Sequence, residues 1–308
     1  MSMATPSLAY VPPVLQPQRK TVQLKGESFS LLAWEDAPKD APALHFAHAN
    51  GFNGNTYRQL LAPLAQHMRI YAWDARGHGF TTAGAKPETL QSWACYRDDL
   101  EALVEHLGAP VMLAGHSLGG VISAMVAAHR PDLVQGLVLA DPVFFSPLFI
   151  RLWRIWKTLG QGERFHLPIA AKKRRYHWPD RQSIIDSYTG RSIFTHWQKG
   201  FVADYINGGT LDAKDGGVHL ACHPLWEART FATSPFDTWG FVPRVRCPVT
   251  VVYGADSDTF KEAAARKLQR SLPNATLRRV CNTGHFVPME DPEPLRAELL
   301  RMAGIIQK

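Results

Sequence analysis

The pentapeptide Gly115-His116-Ser117-Leu118-Gly119 constrains this chain more than any other feature, because the apolar run 111–114 leads straight into it and small-residue helical sequence follows. Glycines at the first and last positions permit a sharp strand-to-helix turn that a Cβ would obstruct. Such a turn presents the Ser117 hydroxyl above a sheet and aims backbone N–H groups at the same point. Five residues alone are weak evidence, since a serine there also caps a following helix.

Three further segments end strand-like runs in the same way. His48-Ala49-Asn50-Gly51-Phe52 follows residues 44–47, Asp74-Ala75-Arg76-Gly77-His78-Gly79 follows 70–73, and Gly284-His285-Phe286-Val287-Pro288 follows 276–280. Between and around them the periodicity alternates: strand 44–48, helix 56–66, strand 70–73, helix 90–107, strand 111–114, helix 119–129, strand 137–140, and later strand 249–253, helix 260–272, strand 276–280 and helix 293–306. Residues 21–24 and 29–34 read as a pair of strands joined by a Lys25-Gly26-Glu27 turn. Strands alternating with helices predict a mostly parallel sheet covered on both faces, with ligands meeting the carboxyl ends of the strands.

Length and apolar content, 308 residues and 45%, suffice for one sizeable core carrying an insertion. No apolar run approaches the ~20 residues that span a bilayer. Residues 1–19 form a Pro-rich arm in place of an apolar leader, so a cytoplasmic location is expected. Cys95, Cys222, Cys247 and Cys281 lack metal-ligand spacing and read as buried free thiols; no metal or cofactor is expected.

Residues 142–246 stand apart. They hold fifteen Lys/Arg against eight Asp/Glu, which accounts for the whole +7 net charge, and also six of the nine tryptophans and nine of the fifteen phenylalanines. Phe145, Leu148, Phe149, Leu152, Trp153 and Trp156 recur at helical spacing, with Arg151, Arg154 and Lys157 largely on the other face. A basic amphipathic helix of this kind suits an anionic membrane surface, and Lys172-Lys173-Arg174-Arg175 has the composition of a nucleic-acid patch. Apolar walls for a small-molecule pocket are the preferred reading of the aromatic positions, with nucleic acid and membrane set aside. The sequence does not set the oligomeric state.

Taken together, the four strand-end motifs resemble the α/β-hydrolase family in its capped, serine esterase-like branch, over residues 20–141 and 242–306. The resemblance implies an eight-stranded, mostly parallel sheet with helices on both faces. It divides the chain into a core, 1–141 and 247–308, and a mainly helical cap inserted at 142–246. Ser117 is the implied nucleophile and His285 its base; His116 and His48 match positions that usually support the loops, as do Asp74 and Arg76.

A serine hydroxyl needs a base within hydrogen-bond reach, and that base needs a carboxylate to hold its tautomer. In the family the acid commonly stands at the third position after the glycine ending the strand at 252–254, but Ser257 occupies it here. Asp258 is preferred over its neighbour Asp256, and Asp141 after the preceding strand is a third option. The implied oxyanion donors are the N–H groups of Leu118 and Asn50, with Ala49, which replaces a usual glycine, as a further possibility. Phe52, Phe144, Phe145, Trp153 and Phe286 are the expected substrate-pocket residues. A serine at the elbow argues against halide and epoxide chemistry, which use aspartate there. The expected reaction is cleavage of a carboxylic ester, lactone or thioester of a small apolar substrate through an acyl-serine. Carbon–carbon hydrolysis by the same residues and ligand binding without turnover are the alternatives.

Overall fold

The computed structural model describes residues 16–108, 110–161, 164–214, 216–234 and 238–307, so most of the Pro-rich arm lies outside the described residues. The chain runs β1 (Gln18–Leu24), β2 (Glu27–Trp34), β3 (Ala43–Ala47), α1 (Arg58–Leu61), β4 (Arg69–Trp73), α2 (Ala94–His106), β5 (Val111–His116), α3 (Leu118–His129) and β6 (Val134–Ala140). After the insertion come β10 (Val249–Gly254), α10 (Glu262–Ser271), β11 (Thr276–Val280), α11 (Val287–Glu290) and α12 (Pro292–Met302).

These strands make one eight-stranded sheet in the order β1-β2-β4-β3-β5-β6-β10-β11. β1 pairs β2 and β2 pairs β4 antiparallel, and every other neighbour is parallel. Strand alternation divides the core between the two faces. Val111 and Leu113 of β5 pack on the side of α2, α3 and α10, while Met112 and Ala114 pack on the side of α1 and α12. The expected helix at 56–66 is instead a 3-10 turn, Gly54–Tyr57, the short α1, and a second 3-10 turn, Ala62–Leu64. Pro63 lacks the N–H a continuous helix would need, and Asn53 accepts from the Thr56 N–H as a cap, tightening the entry.

Between β6 and β10 lie α4 (Pro147–Thr158), α5 (His166–Lys172), β7 (His177–Trp178), α6 (Arg181–Tyr188), α7 (Phe201–Gly208), β8 (Thr210–Asp212), β9 (Val218–Leu220), α8 (Pro224–Ala232) and α9 (Thr238–Phe241). The insertion includes a small antiparallel sheet, β7-β9-β8, that its sequence pattern did not suggest. It is tied to the core through α7. Arg58 and Gln59 donate to the Asp204 carboxylate, Asn55 donates to the Asp204 carbonyl, and Asn53 donates to the Tyr205 carbonyl. No helix among the described residues is long and apolar enough to cross a membrane. All four cysteines are free, but only Cys222 is buried as expected: Cys95 and Cys247 are half-buried, and Cys281, just past the end of the edge strand β11, is exposed.

Candidate active site

Ser117 sits at the β5–α3 junction with φ 56° and ψ −116°, a left-handed conformation that costs a non-glycine residue energy and persists only where its surroundings impose it. The surroundings here leave no alternative. A Cβ on Gly115 would lie 2.4 Å from the Gly119 carbonyl carbon, and one on Gly119 would lie 2.0 Å from the Ala47 carbonyl oxygen, so only glycine lets α3 start this close to β3 and β5. The serine does not cap its helix: its side chain makes no capping hydrogen bond. Its hydroxyl lies 3.0 Å from His285 Nε2.

His285 Nδ1 donates to Asp141 Oδ1 over 2.8 Å, which leaves Nε2 as the acceptor for the serine hydroxyl. Asp141 follows β6 with φ 40° and is wholly buried. Its carboxylate also accepts from the Gly254 N–H at 3.0 Å and from the Ser257 hydroxyl at 2.7 Å. The preferred acid, Asp258, is therefore not the residue that meets the histidine. It is exposed and accepts a hydrogen bond from its neighbour Thr259, and Asp256 is exposed as well. Ser257, turned inward at the end of β10, supplies the partner there, and a serine is too short to replace a carboxylate but well placed to bind one.

A second chain of hydrogen bonds runs beneath the first. The Ala49 N–H donates to Tyr57 Oη at 3.1 Å, the Tyr57 hydroxyl donates to His116 Nδ1 at 2.8 Å, and His116 Nε2 donates to the His285 carbonyl at 2.9 Å. Carbonyl oxygen only accepts, so the direction of every link is fixed. Burial, with the nearby His285 as a lesser cause, holds His116 well below its usual range, in the neutral form this chain needs. His48 Nε2 accepts the Ala75 N–H and His78 Nε2 accepts the Gly51 N–H. Burial lowers His48 to about 4 and His78 to about 3.

These bonds sort the backbone N–H groups of the 49–51 loop and the elbow. Ala49 and Gly51 are committed to Tyr57 and His78, whereas among the described residues neither the Asn50 nor the Leu118 N–H meets a protein acceptor. Asn50 is further held by its side chain, which donates to the Glu227 carbonyl in α8. Asp74 receives the Gly54 and Phe80 N–H groups, and Arg76 is clamped between Glu27 and Asp99, so this loop braces the site without entering it.

The aromatic surroundings differ from expectation in part. Phe52 and Phe286 stand 6.0 Å apart, each near His116, and Trp197 lies 5.6 Å from Phe52 and 5.8 Å from Phe286. Tyr205 completes this cluster at 5.0 Å from Phe52. Trp197 lies in a segment, 192–200, without helical or strand periodicity, and Tyr205 lies on α7 (Phe201–Gly208), where spacing does not tell which residues turn toward Phe52. Phe144 points away from the site into the core, against Phe241 and Phe260. It stands only three residues beyond Asp141, where the chain still follows the end of β6. Phe145 and Trp153 pack with Phe149 and Phe165 within the insertion. Leu148, Leu152 and Trp156 are exposed, because α4 docks through Ile150 and Trp153. A groove of about 540 Å³ between β11 and α12, lined by Arg278, Glu298 and Arg301 among others, contains none of Ser117, His285 or Asp141.

No group of three or more candidate metal-ligating side chains occurs among the described residues. The chain is 36% identical over 255 residues to the 2-(acetamidomethylene)succinate hydrolase of Mesorhizobium japonicum, covering 82% of this chain and 84% of that one. It is 33% identical over 278 residues to the sn-1-specific diacylglycerol lipase ABHD11 of Mus musculus, covering 86% and 81%. Its fold matches the crystal structure of E-2-(acetamidomethylene)succinate hydrolase with a TM-score of 0.77 at 22% identity, over 94% of this chain and 99% of that one. A serine on a strained strand–helix turn, facing a histidine at the end of the sheet, agrees with the match of residues 46–298 to the alpha/beta hydrolase family model, and the chain belongs to that family of hydrolases.

Proposed function

We propose that this hydrolase cleaves a carboxylic ester, or a related lactone or thioester, through an acyl-serine on Ser117, with His285 as base and Asp141 as the acid that orients it. The observation that carries this reading is the unbroken alignment from Ser117 Oγ through His285 to the buried Asp141 carboxylate. As the hydroxyl attacks a carbonyl carbon, His285 Nε2 takes its proton and the resulting imidazolium is stabilised by Asp141. The carbonyl oxygen becomes an oxyanion, for which the Asn50 and Leu118 N–H groups supply two fixed donors. His285 then returns the proton to the leaving alcohol or thiol, and water repeats the sequence on the acyl-serine.

Support for an apolar acyl or alcohol group comes from Phe52, Phe286 and Trp197, whose rings cluster beside His116 and His285. Arg174, whose guanidinium lies beside Gly51, is already committed to Glu227 and to the Tyr205 hydroxyl. The positive charge of the insertion therefore places no uncommitted guanidinium from Arg174 at the oxyanion loop.

The test is a panel of p-nitrophenyl esters of increasing acyl length, with a fluorophosphonate probe for Ser117. Wild-type protein should hydrolyse short to medium esters and label on Ser117, while Ser117→Ala and His285→Ala lose on the order of 10⁶-fold in kcat. Near-normal turnover by folded Ser117→Ala would overturn the acyl-serine reading. Labelling without turnover of any ester would turn the search to other acyl substrates.

A further inference from the structure

Helix α4 exposes the wrong face for a buried cap helix. Leu148, Leu152, Ile155 and Leu159 are 68%, 56%, 56% and 66% exposed, and Trp156 is 48% exposed beside them. Positions 148, 152, 155 and 159 fall on one stripe of a helix, so this is a continuous apolar ridge. The helix is nonetheless well anchored on its other side. Ile150 and Trp153 are buried, Phe149 and Trp153 pack on Phe165, Ser146 caps the first turn, and Lys157 Nζ donates to the Ser234 carbonyl. The exposed ridge is thus a displayed surface on a seated helix.

Charge indicates what the ridge meets. Arg151 and Arg154 are exposed along one flank of the ridge, and among the described residues neither has a carboxylate partner. The helix itself contains no acidic residue, and the insertion as a whole carries fifteen Lys/Arg against eight Asp/Glu. An apolar ridge bordered by arginine, with a tryptophan at its edge, complements an anionic lipid surface: the leucines enter the acyl boundary while the guanidinium groups reach phosphate. A second copy of this chain would set Arg151 and Arg154 against the same arginines, which like-charge repulsion opposes.

We propose that α4 is an interfacial docking helix that seats the protein on anionic bilayers. Its first residue, Pro147, lies six positions beyond Asp141, so a docked α4 holds the insertion and the carboxyl ends of the strands at the lipid surface.

Co-sedimentation with phosphatidylcholine vesicles, with and without phosphatidylglycerol, tests this independently of catalysis. Wild-type protein should bind the phosphatidylglycerol vesicles in preference and be partly released by salt. Arg151→Glu/Arg154→Glu should lose that preference, with affinity falling about fivefold or more per arginine. Leu152→Glu/Ile155→Glu should bind neither vesicle, while both variants keep the wild-type circular dichroism and turnover of a short soluble ester. Failure of wild-type protein to sediment with phosphatidylglycerol vesicles would overturn the proposal, as would unchanged binding by Leu152→Glu/Ile155→Glu. A dimer in light scattering that this variant abolishes, without vesicle binding, would assign the ridge to a second copy instead.

Discussion

At the scale of single residues, the carboxylate is the informative case. Asp141 satisfies its buried oxygens with Gly254, Ser257 and His285, so its removal acts on the histidine's tautomer and not on a surface charge. Asp141→Asn should lower kcat about 10⁴-fold. Asp258→Asn should leave it within a factor of about two, as expected for an exposed side chain. Steady-state kinetics on a short ester measures both, and the opposite ranking would restore the role to Asp258. His45 presents the converse situation: it is fully buried among core residues and, among the described residues, neither ring nitrogen has a hydrogen-bond partner. Replacement by leucine removes two unsatisfied polar atoms, so His45→Leu should raise stability by ~1–2 kcal/mol in urea melts.

At the scale of elements, two turns hold the site and each depends on one contact. Gly119 lets α3 approach β3, and the Ala47 carbonyl lies where a Cβ would go, so even Gly119→Ala should misplace Ser117 or unfold the protein. The Tyr57 hydroxyl joins the 48–52 loop to the elbow and to the His285 loop. Tyr57→Phe keeps the ring packing against Phe46 but leaves the Ala49 N–H and His116 Nδ1 without partners. Each unmade bond of this kind is worth ~1–3 kcal/mol. The loss should appear as a kcat reduction on the order of tenfold or more, larger than any change in KM, because the affected loops carry the reacting groups as well as Phe52 and Phe286. A change confined to KM would argue against this role.

At the scale of the whole molecule, acid should be destabilising in a defined window. His45, His48 and His78 are held near about 3, about 4 and about 3 by burial, below their ordinary value. The unfolded chain therefore binds more protons than the folded one below about pH 6.5, and stability falls as pH drops from there toward the folded-state values. Thermal melts should shift downward between about pH 7 and about pH 5, and a flat profile would contradict the neutral, backbone-accepting roles of His48 and His78. The insertion is coupled to the same site. Arg174 bonds Glu227, whose carbonyl holds Asn50, so Glu227→Ala leaves a largely buried guanidinium without its carboxylate and should cost about 3 kcal/mol, read by denaturant melts.

The alternation of strands and helices that builds the mostly parallel sheet was legible in the sequence, whereas the broken helix at 54–64 was not, and the pairing of Ser117 with His285 came with the resemblance of the strand-end motifs to the α/β-hydrolase family. The legible features rest on local rules: strand and helix periods, glycines at a turn too tight for a Cβ, and motifs that end strands. Ser117 stood out because the glycines around it dictate a tight turn, and His285 because its Gly-His-Phe-Val-Pro segment resembles the family's histidine loop. The acid did not, since Asp141, Asp256 and Asp258 all follow strand ends, and only the three-dimensional path of β6 and β10 decides which carboxylate turns inward. Ser257 marked the irregularity, yet its hydrogen bond to Asp141 joins residues 116 positions apart. The insertion was the least legible part. Its aromatic spacing announced an amphipathic helix, but which side of α4 is buried depends on where Ile150 and Trp153 find partners, and a helical period carries no information about what lies opposite. Tertiary packing alone turned Trp197 and Tyr205 toward the site and left the ridge from Leu148 to Leu159 facing outward.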